Sequence, residues 1–184
     1  MSGETDRAKA IRLEREYRDA LEAEADYDIL DPLRGELEAS YRRILETDPD
    51  DADTLTALAV LLSTDVQVPD GESVELLWRV FDMDRADEDA CESLVSLLES
   101  LSEEEEADEV YRQASEAGNL RATFELAARL DERGDLNEAE PLYRRAAEAG
   151  DAQALANLAD LLEERGDHEA AAALRNGEGA RPRS

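Results

Sequence analysis

The chain has 184 residues, of which 42% are hydrophobic and only 4% aromatic, and a formal net charge of −29 from 49 acidic and 20 basic side chains. Nucleic acids and anionic bilayers are bound through Lys and Arg, so this balance disfavours both and favours basic partners. Leu and Ala dominate the apolar set, and five prolines and nine glycines leave room for long helices.

From the start, MSGETDRAKA shows no apolar stretch after its charges and does not read as a secretory leader. Residues Thr5 to Tyr27 are predicted as one helix, with Ala8, Ile11, Tyr17, Ala20 and Leu21 on its apolar side. Asp31-Pro32 reads as the N-cap and first-turn proline of a second helix carrying Leu33, Leu37, Tyr41, Ile44 and Leu45, which Pro49 closes. Leu58 to Leu62, the longest apolar run, is far too short to span a bilayer, and a cytoplasmic location is expected. STDVQVPDG (Ser63–Gly71) is a longer loop that reads as a drifted insertion rather than a contact loop. DMDRADED (Asp82–Asp89) has the carboxylate density of a calcium loop but lacks its turn glycine and closing glutamate. SEEEEADE (Ser102–Glu109) reads as a helix start, with Ser102 as N-cap and acids at the positive helix end.

Beyond this point the chain repeats. EVYRQASEAGN aligns with PLYRRAAEAGD, placing Tyr111 on Tyr143, Ala114 on Ala146 and Gly118 on Gly150. FELAARLDERGD aligns with ANLADLLEERGD at the same offset, placing Leu126 on Leu158, Leu130 on Leu162 and Gly134 on Gly166. Two separate segments thus share one period, and each period holds two helices. Gly118-Asn119, Gly134-Asp135, Gly150-Asp151 and Gly166-Asp167 punctuate them: the glycine ends one helix in the left-handed conformation, and Asp or Asn caps the next. Links this short make neighbouring helices antiparallel, so ERGD is the turn of a helical hairpin, not an adhesion motif. Trp78 and Phe81 stand where Tyr111 and Ala114 stand, about one repeat upstream, and Tyr41 and Ile44 hold the same roles earlier still.

This pattern resembles the tetratricopeptide repeat superfamily, through Leu126, Ala127, Leu130, Gly134, Leu136, Ala139, Tyr143 and Ala146, then Leu158, Ala159, Leu162, Gly166 and Ala171. Cys91, Leu94, Val95, Leu98, Ala107, Tyr111 and Ala114 form a looser copy, and RRAAEAGDAQALANLADLL is similar to the related Sel-one-like repeats. The resemblance implies an all-α, right-handed α-solenoid of antiparallel helix hairpins. N-terminal capping helices are expected over residues 1–36, repeats over 37–175 and a disordered tail over 176–184.

In such solenoids the first helix of each pair lines a concave groove. That implies a partner-binding surface of Asp89, Glu92, Glu99, Arg121, Phe124, Glu125, Asp131, Gln153, Asn157, Asp160 and Glu163. Asn157 falls where family members often carry a ligand-binding Asn, but the Lys and Arg of a carboxylate clamp are missing around it. The groove is therefore expected to take a segment bearing Arg or Lys, with Phe124 as an apolar anchor. Cys91 stands alone, which leaves no disulfide framework, and it reads as a buried inert thiol. His168, the single histidine, reads as a surface or packing residue. No catalytic constellation, phosphate loop or metal spacing stands out, and no cofactor is expected. The sequence thus points to a non-enzymatic adaptor or chaperone-like module binding a basic segment of a partner protein. The alternative is a self-associating or enzyme-regulatory subunit acting through its N-terminal helices. A mimic of nucleic acid fits less well, because the acids spread around most helices.

Overall fold

The computed structural model describes residues 5–63 and 71–176; the predicted loop (apart from its end residues Ser63 and Gly71) and all but the first residue of the predicted tail lie outside the described residues. The described residues form ten α-helices and no strand. They fall into two compact units, divided between Met83 and Asp84.

In the first unit, α1 (Asp6–Glu22) packs on α2 (Tyr27–Thr47), and α3 (Ala52–Ser63) on α4 (Gly71–Met83). Thr5 caps α1 by accepting the Ala8 amide at 3.2 Å. The face of α1 is the predicted one only at Tyr17 and Ala20. Ala10 and Leu13 are buried and Tyr17 and Ala20 half-buried, while Ala8, Ile11 and Leu21 stay exposed. Packing on α2 selects the stripe stepping through 10, 13, 17 and 20; Ala8 and Ile11 fall off it, and Leu21 stands in the last turn, where the helix ends.

The helix boundary also differs. Helix α1 ends at Glu22 because Glu24 takes a left-handed conformation (φ 51°) and the Ala25 amide bonds back to the Ala20 carbonyl at 3.0 Å. This closure normally uses glycine, and none marks it here. The Ile29 and Leu30 amides bond the Asp26 carbonyl, so α2 begins at Tyr27 and Pro32 lies inside it. A proline in the second turn forfeits one hydrogen bond near the helix start and does not break the helix. Helix α2 then runs unbroken through residues 36 and 37. Its Leu37, Tyr41 and Ile44 are buried with Leu55, Leu58, Ala59, Leu61 and Leu62 of α3 and Leu76, Leu77, Val80 and Phe81 of α4. Trp78 meets Phe81 edge-on at 5.7 Å.

The second unit runs α5 (Glu88–Ser100), α6 (Glu104–Ala117), α7 (Leu120–Glu132), α8 (Leu136–Glu148), α9 (Ala152–Glu164) and α10 (His168–Arg175). Each helix packs on the next, as the hairpin reading requires. Gly118, Gly134, Gly150 and Gly166 all have positive φ, and the residue after each bonds back five positions at 2.8–3.1 Å. The period shows even in the dihedrals: Gly118 and Gly150 lie at φ 105° and 103°, Gly134 and Gly166 at 83° and 82°. Asn119, Asp151 and Asp167 cap the following helices through their side chains; Asp135 makes no such bond. Ser102 stands half a period before Gly118 and does the glycine's work, at φ 63°, with the Glu103 amide bonding the Leu98 carbonyl at 2.9 Å. It therefore closes α5 rather than capping α6, whose N-cap is Glu103.

The Arg of ERGD has its own role. Arg133, just past α7, reaches back to Asp108 on α6, and Arg165, just past α9, reaches back to Glu140 on α8. The two arginines and their two acidic partners are each displaced by one full period, so the repeat carries an ion pair as well as a turn. The core of this unit is Leu126, Leu130, Tyr143, Leu158, Leu161 and Leu162, with alanines at the closest approaches.

Candidate partner-binding groove

Helices α5 and α7, the first members of their hairpins, leave a cleft between them with Tyr111 of α6 beneath. Its volume is about 50 Å³, and Glu88, Cys91, Glu92, Asn119, Arg121, Ala122 and Glu125 complete the lining. Of the residues predicted to line a groove, this cleft brings together Glu92, Arg121 and Glu125. Arg121 is drawn to Glu88 at 3.3 Å. Among the described residues, Glu92 and Glu125 have no ion-pair partner.

Carboxylates crowd the groups at the cleft floor. Burial, then Glu125 and Glu99, push the Tyr111 phenol up to about 12. Burial, then Glu88, Glu92 and Asp87, push the Cys91 thiol up to about 11. At neutral pH the thiol stays protonated, as a buried and inert cysteine does. The floor is thus neutral and apolar, and the rim is negative.

The other predicted residues are placed differently. Asp89 is exposed on α5 and outside the cleft. Glu99 holds Arg129 at 2.7 Å, and Arg129 also lies 5.8 Å over the Tyr111 ring and donates to Asp108 at 2.6 Å. Phe124 is half-buried against the Tyr143 ring at 6.0 Å. The Tyr143 hydroxyl donates to Asp131 and accepts from the Asn157 amide, both at 3.2 Å. Asn157 therefore spends one of its donors inside the fold. Asp160 and Glu163 hold Arg175 of α10 at 2.8 and 2.7 Å, and His168, exposed, meets Glu163 at 3.0 Å. Gln153 is exposed in the first turn of α9. The sequence reading missed Glu88, Cys91, Tyr111, Asn119 and Ala122 as cleft residues. Helical spacing could have found Glu88, one turn from Glu92, whereas Tyr111 enters from a different helix.

Two carboxylates of the calcium-like segment serve local turns. Asp84 accepts the Ala86 amide at 3.0 Å, and Asp87 caps α5 at Ala90 at 2.7 Å. No helix among the described residues is long and apolar enough to cross a membrane.

No protein-family model matches the chain, and no curated protein matches it in sequence. Solved structures do match in fold. A structure of MamA gives a TM-score of 0.52 at 20% identity, covering 78% of this chain and 85% of that one. MamA of Desulfovibrio magneticus gives 0.52 at 15% identity, covering 92% and 93%. The pilF protein of Pseudomonas aeruginosa gives 0.53 at 16% identity, covering 97% and 79%. These neighbours are tetratricopeptide-type helical repeat proteins, and the chain shares their all-α architecture of helical hairpins.

Proposed function

We propose that this chain is a non-enzymatic interaction module, an adaptor or chaperone-like protein, whose second unit takes an Arg- or Lys-bearing segment of a partner protein between α5 and α7. One observation carries the reading: Glu92 and Glu125 face a neutral floor of Tyr111 and Cys91 with no cation of their own. A partner Arg or Lys would lay its stem on that floor and its head between the two carboxylates. The remaining predicted groove residues, from Phe124 to Gln153 and Asn157, extend this surface as part of the proposal. A cytoplasmic setting belongs to the same reading, in keeping with Cys91 as a free buried thiol. Capture from host lysate at low and high salt tests it. A basic protein should be recovered at low salt, and lost at high salt or with Glu92→Lys/Glu125→Lys. Recovery indifferent to both would sink the groove.

The second reading, self-association or regulation of an enzyme through the N-terminal helices, is favoured by exposed apolar side chains there. Ile11, Leu21, Tyr27 and Ile29 are 60%, 49%, 81% and 54% exposed. Sedimentation of the chain with Tyr27→Ser/Ile29→Ser would show a loss of mass if these residues join two copies.

A further inference from the structure

Helix α1 has the wrong charge for this molecule. Its five basic residues balance its five acidic ones, in a chain of net charge −29. Helical spacing places Arg7, Ile11, Arg15 and Arg18 along one outward stripe. In the same unit Arg7, Lys9, Arg42, Arg43 and Arg79 each hold a carboxylate. Among the described residues Arg15 and Arg18 hold none, although Glu14, Glu16, Asp19 and Glu22 stand on the same helix. Two free arginines amid so many acids are a surface without its partner.

Beside the stripe, α1, α2 and α3 enclose a cleft of about 200 Å³. Ala10, Ile11, Ile44 and Ala57 give it apolar walls, and the Tyr41 hydroxyl donates to Glu14 at 2.7 Å on its rim. Arg18 follows Glu14 by one helical turn, which places it beside the same opening.

We infer that this surface binds a short acidic segment of a partner protein that presents one large apolar side chain between carboxylates. The apolar side chain fills the cleft over Ile11, Ile44 and Ala57, and the carboxylates pair with Arg15 and Arg18. Net charge selects a short segment. A second copy brings −29 of its own, and a bilayer or nucleic acid is an extended polyanion, so each is repelled by the molecule as a whole. A short segment meets mainly the charges within a Debye length, about 8 Å at physiological salt, where Arg15 and Arg18 are free to pair; of the carboxylates lining the cleft, Glu14 is engaged by the Tyr41 hydroxyl and Asp53 stands on α3. The inference does not depend on the groove of the second unit, whose charge is opposite.

The test uses the full chain and a fluorescein-labelled, Glu-rich peptide with a single central Leu, followed by anisotropy at low salt. Saturable binding is expected. Arg15→Gln/Arg18→Gln should weaken it about tenfold, comparable to losing one good charge contact. Changing the central Leu to Ser, or Ile11→Ser in the protein, should weaken it severalfold, and Glu92→Gln/Glu125→Gln should leave it unchanged. These protein positions are all exposed or lie on a cleft rim, and far-UV circular dichroism verifies the fold of each variant. No saturation up to about 1 mM peptide, or binding indifferent to the arginine changes, would overturn the inference. So would an oligomer of the wild-type chain that dissolves in the arginine variant, which would make the occupant a second copy, or arginine-dependent binding to anionic vesicles.

Discussion

Asp108 is held nearly out of water on α6 between Arg129 and Arg133 of the next hairpin. Burial pushes its carboxyl up, but hydrogen bonds from Arg133 and Arg129 outweigh burial and hold it below the usual carboxylate range. An aspartate whose folded value lies below the unfolded value, about 3.9, stabilises fully above that pH and loses its effect as pH falls through the folded value. Asp108→Asn should therefore make the acid limb of the stability profile shallower, and lower stability at neutral pH by about 1–3 kcal/mol. Urea unfolding between pH 2 and 7 measures both. Cys91 gives a second residue-level expectation: a protonated, buried thiol reacts with maleimide only as the fold opens. Rapid labelling of the native chain would contradict the cleft floor described above. Sequence showed Cys91 as an inner apolar position, but not Asp108. Its partners lie 21 and 25 residues away, and only the packed hairpins bring them together.

At the scale of the helix, the left-handed turns decide where elements stop. An added methyl at Gly134 would meet no atom within 4 Å, so Gly134→Ala isolates the conformational cost of φ 83°. That change should destabilise by about 1–2 kcal/mol, whereas Ser102→Gly, at φ 63°, should stabilise by up to a similar amount. Thermal unfolding of the two variants should shift in opposite directions. The glycine turns were legible from sequence because four glycines recur with Asp or Asn behind each. The turns at Glu24 and Ser102 were not, because ordinary residues occupy the same conformation there and only backbone hydrogen bonds reveal it. The early start of α2 was hidden for a related reason, since a proline in the second turn looks like a proline in the first. The face of α1 was read only in part, at Tyr17 and Ala20, because Ala8, Ile11 and Leu21 are as apolar as the stripe that packing selects.

For the whole molecule, a net charge of −29 sets much of the behaviour. Self-repulsion among carboxylates opposes compactness, and salt screens it, while exposed ion pairs contribute little each. Adding about 0.5 M sodium chloride should raise the unfolding temperature, since screening at such concentrations reduces the Debye length well below about 10 Å. A fall would mean that the ion-pair ladder outweighs the repulsion. The hairpin architecture was readable in the recurrence of the glycine turns and of the tyrosines between them, while the groove was readable only in part. The resemblance to tetratricopeptide repeats implied Glu92, Arg121 and Glu125 along α5 and α7. It did not show that Asp160 and Glu163 are tied to Arg175, because the register of α10 on α9 follows from packing.

The most direct test of the groove is an amide chemical-shift map of the labelled chain titrated with an arginine-rich peptide at low salt. Shifts concentrated at Glu92, Tyr111, Arg121 and Glu125, and abolished by Glu92→Gln/Glu125→Gln, are the predicted result. Shifts spread evenly over the acidic surface, or unchanged by those substitutions, would contradict a built site between α5 and α7.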